Sequence, residues 1–500
     1  MQLLSTREEM QAADRQAISL GTPGLELMER AAAAVALRLS LHTKPEDEIV
    51  FICGTGSNGG DGLAAARLLA CRGWQRIAVY MQGDPETLKG DARTNRDRLR
   101  ETGLEIRPAE QWQPGTEAWV VDALFGTGLN RELRPEAVEL IGRMNRTAGK
   151  ILAVDLPSGA DANTGRSWGA LVRAEETVTF ARKKQGLLLE PARSSSGFVV
   201  VAQIGLPVEQ KETSRVFSLD REDLAERLPR RLVESNKGTY GRLLALVGSE
   251  EMTGAAVLSC RAAYKSGVGL VEAVMPAEGS LPLRCAVPEA ILSLYRQKDD
   301  CEIRNLERAS ALLIGPGLGL DFHVLNRIRF ALEHFPAEKP VVLDADGLNW
   351  LARSPELAEL VRRRGGRTIL TPHLLEASRL MQNTVEEIRQ DRIRAARELA
   401  AAYNACVILK DAVTVTASPE GCVCVNPTGN HGMATAGSGD VLAGLTAGLA
   451  AQGTPAFDAA CLGAWIHGEA GDRAVQETGY YGLTASDIGR FIHIERAAGI

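Results

Sequence analysis

Residues 426–440 read Asn-Pro-Thr-Gly-Asn-His-Gly-Met-Ala-Thr-Ala-Gly-Ser-Gly-Asp and run directly into the apolar stretch Val441-Leu-Ala-Gly-Leu445. Small residues at Gly437, Ser438 and Gly439 let the backbone turn tightly and bare its N–H groups at the positive end of the following helix. That arrangement holds phosphate oxygens or a developing anion. Asp440 stands where a carboxylate either caps the helix or takes a proton from a substrate hydroxyl. Together they predict phosphoryl activation of a hydroxyl. A plain glycine turn with an acidic cap has the same local sequence, so the surroundings must decide.

The first half of the chain carries polar residues at strand ends. Gly54-x-Gly-x-x-Gly59 meets the dinucleotide fingerprint, which alone is weak. The next strand ends Tyr80-Met-Gln-Gly83, without the acidic residue a dehydrogenase needs for ribose. Asp122 precedes Ala-Leu-Phe-Gly-Thr-Gly128, and Asp155 precedes Leu-Pro-Ser-Gly159. In a parallel sheet such positions line the ligand crevice. Asn58, Asp122 and Ser158 offer oxygen ligands only, which suit a hard cation.

The elements that must position these residues alternate. A capping box, Thr6-Arg-Glu-Glu9, opens a helix, and a second helix covers 24–41. The strand 49–52 delivers a glycine loop, 54–62, followed by a helix over 63–72. Further strands are predicted at 76–81, 118–121, 150–154, 177–180 and 197–202. The polar run Pro207–Ser218 is read as the linker. Strands resume at 243–247, 270–275, 311–314, 341–344, 368–370, 407–410, 413–417 and 422–425, before helices at 440–451, 456–476 and 485–497. Alternation of this kind predicts two α/β domains, 1–210 and 225–500, each built on a mostly parallel sheet.

Composition excludes several classes. The 500 residues include 45% hydrophobic and 24% charged, with a net charge of −6 that gives no footprint for nucleic acid. Nine cysteines lacking any Cys-x-x-Cys argue for a reducing compartment rather than a disulfide framework. No signal peptide or membrane span is expected, and the chain is read as cytoplasmic.

Ser57-Asn-Gly-Gly-Asp-Gly62, Asp122–Gly128, Asp155–Gly159 and Thr177-Val-Thr-Phe180 with Lys184 together resemble the NAD(P)H-hydrate epimerase domain, over about residues 1–210. The resemblance implies a Rossmann-like three-layer αβα fold. It implies potassium on Asn58, Asp122 and Ser158, and catalysis at Asp155. The hydrated cofactor would contact Ser57, Asn58, Gly59, Gly60, Asp61, Gly126, Thr127, Gly128, Leu129, Asn130, Arg131, Glu132 and Asp155. Ser57 replaces the usual Asn.

Gly238-Thr-Tyr-Gly241, Gly248-Ser-x-x-x-Thr-Gly-Ala255, Gly315-Pro-Gly-Leu-Gly319, Thr371-Pro-His373, Lys410-Asp-Ala-Val-Thr414 and the 426–440 run resemble the ADP- or ATP-dependent NAD(P)H-hydrate dehydratase, a ribokinase-like α/β fold. This implies nucleotide contacts at Lys410, Asp411, Ala412, Val413, Thr414 and Gly439, with Mg2+ accompanying ADP or ATP. Ala255, Gly317, His373 and Asp440 would meet the hydrated cofactor. Departures are Asp411 for Gly, Leu374-Leu375 for Pro-Gly and His431 for Pro. The implied activity is epimerisation of NADHX and NADPHX and nucleotide-driven dehydration of one epimer, by a homo-oligomer. Rival readings are a ribokinase-like kinase of a small alcohol with a regulatory N-terminal domain, and a chain that only binds nucleotide.

Overall fold

The computed structural model describes residues 1–115, 119–207, 215–297 and 302–499. The chain divides into two compact units, Leu3–Ser214 and Arg215–Ile500, the latter joined by Met1–Gln2. The centre of the expected linker, 208–214, lies outside the described residues. Its end does not remain a linker. Val216–Ser218 is a buried strand paired in parallel with Val423–Val425.

The first unit is a seven-stranded parallel sheet. The order is Ile106–Pro108, Arg76–Met81, Glu48–Cys53, Trp119–Ala123, Lys150–Val154, Glu176–Phe180, Phe198–Ala202. The central strands are mostly apolar because helices cover both faces, with separate cores on each side, and Asp122 is an exception near a strand end. The chain reverses direction of travel between Glu48–Cys53 and Trp119–Ala123. A crevice opens at the carboxyl ends of strands flanking such a point. The capping box of Thr6 and Glu9 opens the helix Arg7–Ser19 as expected.

One expectation is corrected here. The helix after the first strand begins at Ser57, not at Leu63, so residues 58–62 are helical rather than loop. Glycine is required there by contact. A Cβ on Gly59 would lie 1.8 Å from the Gly54 carbonyl oxygen, and one on Gly62 would lie 2.5 Å from the Ala123 Cβ. The glycines bring the helix down onto the sheet.

The second unit's sheet runs Val216–Ser218, Val423–Val425, Val415–Ala417, Cys406–Leu409, Thr368–Leu370, Val341–Leu343, Ala311–Ile314, Arg242–Leu246, Leu270–Pro276, Ile291–Tyr295. Only the hairpin strands, Cys406–Leu409 with Val415–Ala417 and Val415–Ala417 with Val423–Val425, pair antiparallel. The helix Ser438–Ala451 starts two residues earlier than expected, and the expected helix 485–497 is two, Ala485–Arg490 and Ile494–Ala498. Ser438–Ala451 crosses Thr253–Lys265 at backbone contact. A Cβ on Gly444 would meet the Ser259 carbonyl oxygen at 2.0 Å, and one on Gly448 the Ser266 Oγ at 2.2 Å.

Candidate functional site

In the first unit, a cavity of about 670 Å³ sits at the switch point of the sheet. Ser57, Asn58, Asp61, Gly126, Thr127, Gly128, Leu129, Asn130, Arg131 and Asp155 line it. Gly59, Gly60 and Glu132 do not. Gly59 faces Gly54, Gly60 faces Met28 and Ala92, and Glu132 is exposed near Gly169.

Asp155 follows the strand Lys150–Val154 in the left-handed region, at φ 69°. Non-glycine residues hold that conformation seldom, and mostly where the fold requires it. Its Oδ1 accepts from the Lys184 ammonium and from Thr179 Oγ1 at 3.2 Å. Lys184 is 1% exposed and also donates to Thr179 Oγ1 at 2.9 Å and to the Phe180 carbonyl at 3.2 Å. Asp14, Asp61 and Asp91 line the same cavity. Burial and the Asp155 charge push Asp61 well above, and Asp14 above, the usual carboxylate range, against the pull of Lys184. The cavity thus holds one carboxylate bonded to lysine beside two whose ionisation is disfavoured. Sequence reasoning missed Asp14, which lies in a helix without a motif, and gave Lys184 no role.

Asp122 and Ser158 interlock beneath the cavity wall. Ser158 donates to Asp122 through its amide (2.7 Å) and its hydroxyl (2.6 Å), and Phe125 N donates to Ser158 Oγ at 2.9 Å. Burial raises Asp122 to about 6, although hydrogen bonds from Ser158 and Leu124 oppose the shift. Asn58 Oδ1 points toward Gly126, where a Cβ would be 3.0 Å away. Its buried Nδ2 has no partner among the described residues. Amide oxygen and nitrogen are interchangeable assignments, so this corner has polar capacity to spare. One carboxylate, one hydroxyl and one amide fit a hard, singly charged cation.

In the second unit, Gly437 caps the helix Ser438–Ala451 at φ 86°, and Asp440 falls in its first turn. No side chain caps this helix, so of the two roles open to Asp440 the capping one is corrected away. The Lys410 ammonium lies 3.2 Å from where a Cβ on Gly439 would be, and donates to Asp344 Oδ1 at 2.9 Å. Burial raises Asp440 to about 7, helped by the charges of Asp344 and Asp346 and opposed by Lys410. His467 is buried behind the turn, 3.4 Å from Ser438 Oγ, and burial lowers it to about 4.

His373 caps the helix Leu374–Met381, its Nδ1 accepting from Leu375 N (3.1 Å) and Glu376 N (3.3 Å). It bridges to Lys410 along the backbone. Burial raises Glu376 to about 7. Ala255 and Gly317 meet one another, since a Cβ on Gly317 would sit 2.8 Å from the Ala255 Cβ.

Lys410–Thr414 spans the hairpin. Ala412 is exposed, Val413 is buried in the core and Thr414 accepts from Asn426 N at 2.9 Å. Asp411 does not present a bare charge, because Arg392 Nε lies 2.6 Å from its Oδ2. His431 stacks on Tyr480 with centroids 4.2 Å apart. Asp344, Asp346, Glu376 and His467 carry no motif and were missed. Among the described residues, no group of three or more His, Cys, Asp and Glu is arranged to hold a metal, and no helix is long and apolar enough to cross a membrane.

Residues 243–493 match the family model described as NAD(P)H-hydrate dehydratase, and residues 24–186 that of the YjeF-related protein N-terminus. A bifunctional NAD(P)H-hydrate repair enzyme of Moorella thermoacetica is 39% identical over 98% of this chain and 96% of its own. One from Escherichia coli is 35% identical over 96% and 90%. A crystal structure of a ribokinase-like superfamily protein from Enterococcus faecalis superposes with a TM-score of 0.51 at 25% identity, covering 58% of this chain and 99% of that one.

Proposed function

Because the chain belongs to the family of bifunctional NAD(P)H-hydrate repair enzymes, we propose that its two units divide one repair between them. Residues 1–210 epimerise the hydrated nicotinamide, and residues 225–500 dehydrate the S epimer at the expense of ADP or ATP. The single observation that carries the second assignment is Asp440, standing in the first helical turn behind Gly437 with Lys410 beside Gly439.

The chemistry follows from the substrate. Hydration leaves a hydroxyl on the carbon next to the ring nitrogen, and hydroxide leaves poorly. Asp440 accepts the hydroxyl proton, and the oxygen attacks the terminal phosphoryl group, displacing a nucleotide shortened by one phosphate. The nitrogen lone pair then expels phosphate, and loss of a neighbouring proton restores the reduced ring. Amides of the glycine turn and the Lys410 ammonium stabilise the charge on the transferring group. Ala255, Gly317 and His373 wall the hydrated cofactor, and Lys410–Thr414 meets the nucleotide. Mg2+ accompanying the nucleotide would supply charge neutralisation at the phosphate oxygens.

In the first unit, Asp155 held by Lys184 acts as acid and base at the hemiaminal carbon. Asn58, Asp122 and Ser158 would hold K+, whose charge would tie together the loops that carry them. The protein works in the cytoplasm as a homo-oligomer, without nucleic acid or membrane as partner.

A mixture of both epimers incubated with K+, Mg2+ and ADP or ATP tests this reading. Recovery of all the reduced-nicotinamide absorbance is expected. Asp155→Ala should recover only the S fraction. A stable phosphorylated product without that absorbance would instead identify a kinase.

A further inference from the structure

Asp344 lies just beyond the strand Val341–Leu343 and is 1% exposed. A buried carboxylate needs partners, and these come from two other strand ends. Thr371 Oγ1 and Lys410 Nζ both donate to Oδ1, at 2.5 and 2.9 Å. The second oxygen, Oδ2, lies 3.9 Å from the point a Cβ on Gly439 would occupy, and Lys410 Nζ lies 3.2 Å from the same point. Carboxylate and ammonium thus flank the second residue of the helix whose third is Asp440. The backbone around Asp344 is fixed as well. Its amide donates to the Ile314 carbonyl at 3.0 Å and its carbonyl accepts from Gly347 at 2.9 Å.

We propose that Asp344 is a positioning residue for dehydration, holding the Lys410 ammonium at the mouth of the glycine turn and setting the charge against which Asp440 works. This rests on the assignment of Asp440 as base. Lys410 has three more donors than acceptors of its own, and one is anchored on Asp344 while the others remain for phosphate. The charged groups acting on Asp440 are Asp344, Asp346 and Lys410. Glu376 and His467 act on the same lysine neighbourhood. Of the carboxylates, Asp344 is the one that both repels the base and holds the lysine.

The signs are definite. Asp440 must be ionised to accept a proton, and Asp344 disfavours that ionisation. Asp344→Asn keeps an acceptor for Thr371 and Lys410 but removes the charge. The acid limb of the dehydratase pH profile should then move down by roughly one pH unit. The KM for ADP with Mg2+ should rise about tenfold, because the lysine loses its anionic anchor. Asp346→Asn removes a charge near Asp440 without touching Lys410, so its limb should move down by less and its KM for ADP should stay unchanged. Should Asp344→Asn fold poorly, Asp344→Glu keeps the charge but displaces it from Lys410, so KM for ADP should rise with the acid limb in place, and an unchanged KM would overturn the role. Dehydration is followed by recovery of reduced-nicotinamide absorbance from the S epimer. If Asp440→Asn is inactive while Asp344→Asn leaves both limb and KM in place, the role of Asp344 is overturned. If Asp440→Asn retains turnover, the assignment of the base falls instead.

Discussion

Both sites pair an aspartate with a lysine, but the wiring differs. In the first unit Lys184 bonds Asp155 directly, and both are buried. In the second, Lys410 bonds Asp344, leaving Asp440 with burial and like charge pushing it to about 7. A carboxylate bonded directly to a buried ammonium is fixed in place. One denied the lysine is a base whose readiness depends on pH and on what else enters the site. The same pair of residue types is therefore wired as a direct ion pair in one place and split between two carboxylates in the other.

The largest expected effects come from removing each carboxylate. Asp155→Ala should lower epimerisation, and Asp440→Asn dehydration, by about 10²–10⁴-fold each, read separately with pure R and S hydrates. Loss of both activities in either variant would break the comparison. Next in size is Lys184→Met, which strands a buried Asp155 charge. Breaking such a pair costs about 3–5 kcal/mol, seen as a lower denaturant midpoint. Lys184→Met with Asp155→Asn should regain most of that loss.

The pH response sharpens the contrast. With Asp440 in its proposed role of base, dehydration should fall as pH drops through about 7. A rate that stays flat down to pH 5 would remove Asp440 as the base. The smallest effect concerns the hairpin. Arg392→Ala exposes the Asp411 charge beside the nucleotide segment, and KM for ADP should rise several-fold, an interaction of about 1 kcal/mol. Adding Asp411→Gly should restore it, and steady-state kinetics of the pair gives the coupling.

Much of this was readable from the chain. Asp122 and Asp155 announced themselves because apolar strands ended on them, and the turn before Asp440 is dense in small residues. The start of the helix at Ser57 was not readable, since glycines that bring backbones together look like glycines that make loops. Only the 1.8 Å approach of Gly59 to Gly54 separates the two uses. Asp14, Asp344 and Glu376 were silent for other reasons. Asp14 and Asp344 reach their sites from elements distant in sequence, whereas Glu376 closes the capping box of His373, a local spacing hidden because histidine is an unusual cap. Val216–Ser218 was hidden inside a polar run, although its partner strand buries it.

The glycines at 444 and 448 have a mechanical consequence. With main chain resting on main chain, no compressible side chain cushions the helix bearing Asp440 from the one bearing Ala255. A side chain at Gly444 would therefore drive the two helices apart and carry Asp440 away from Ala255.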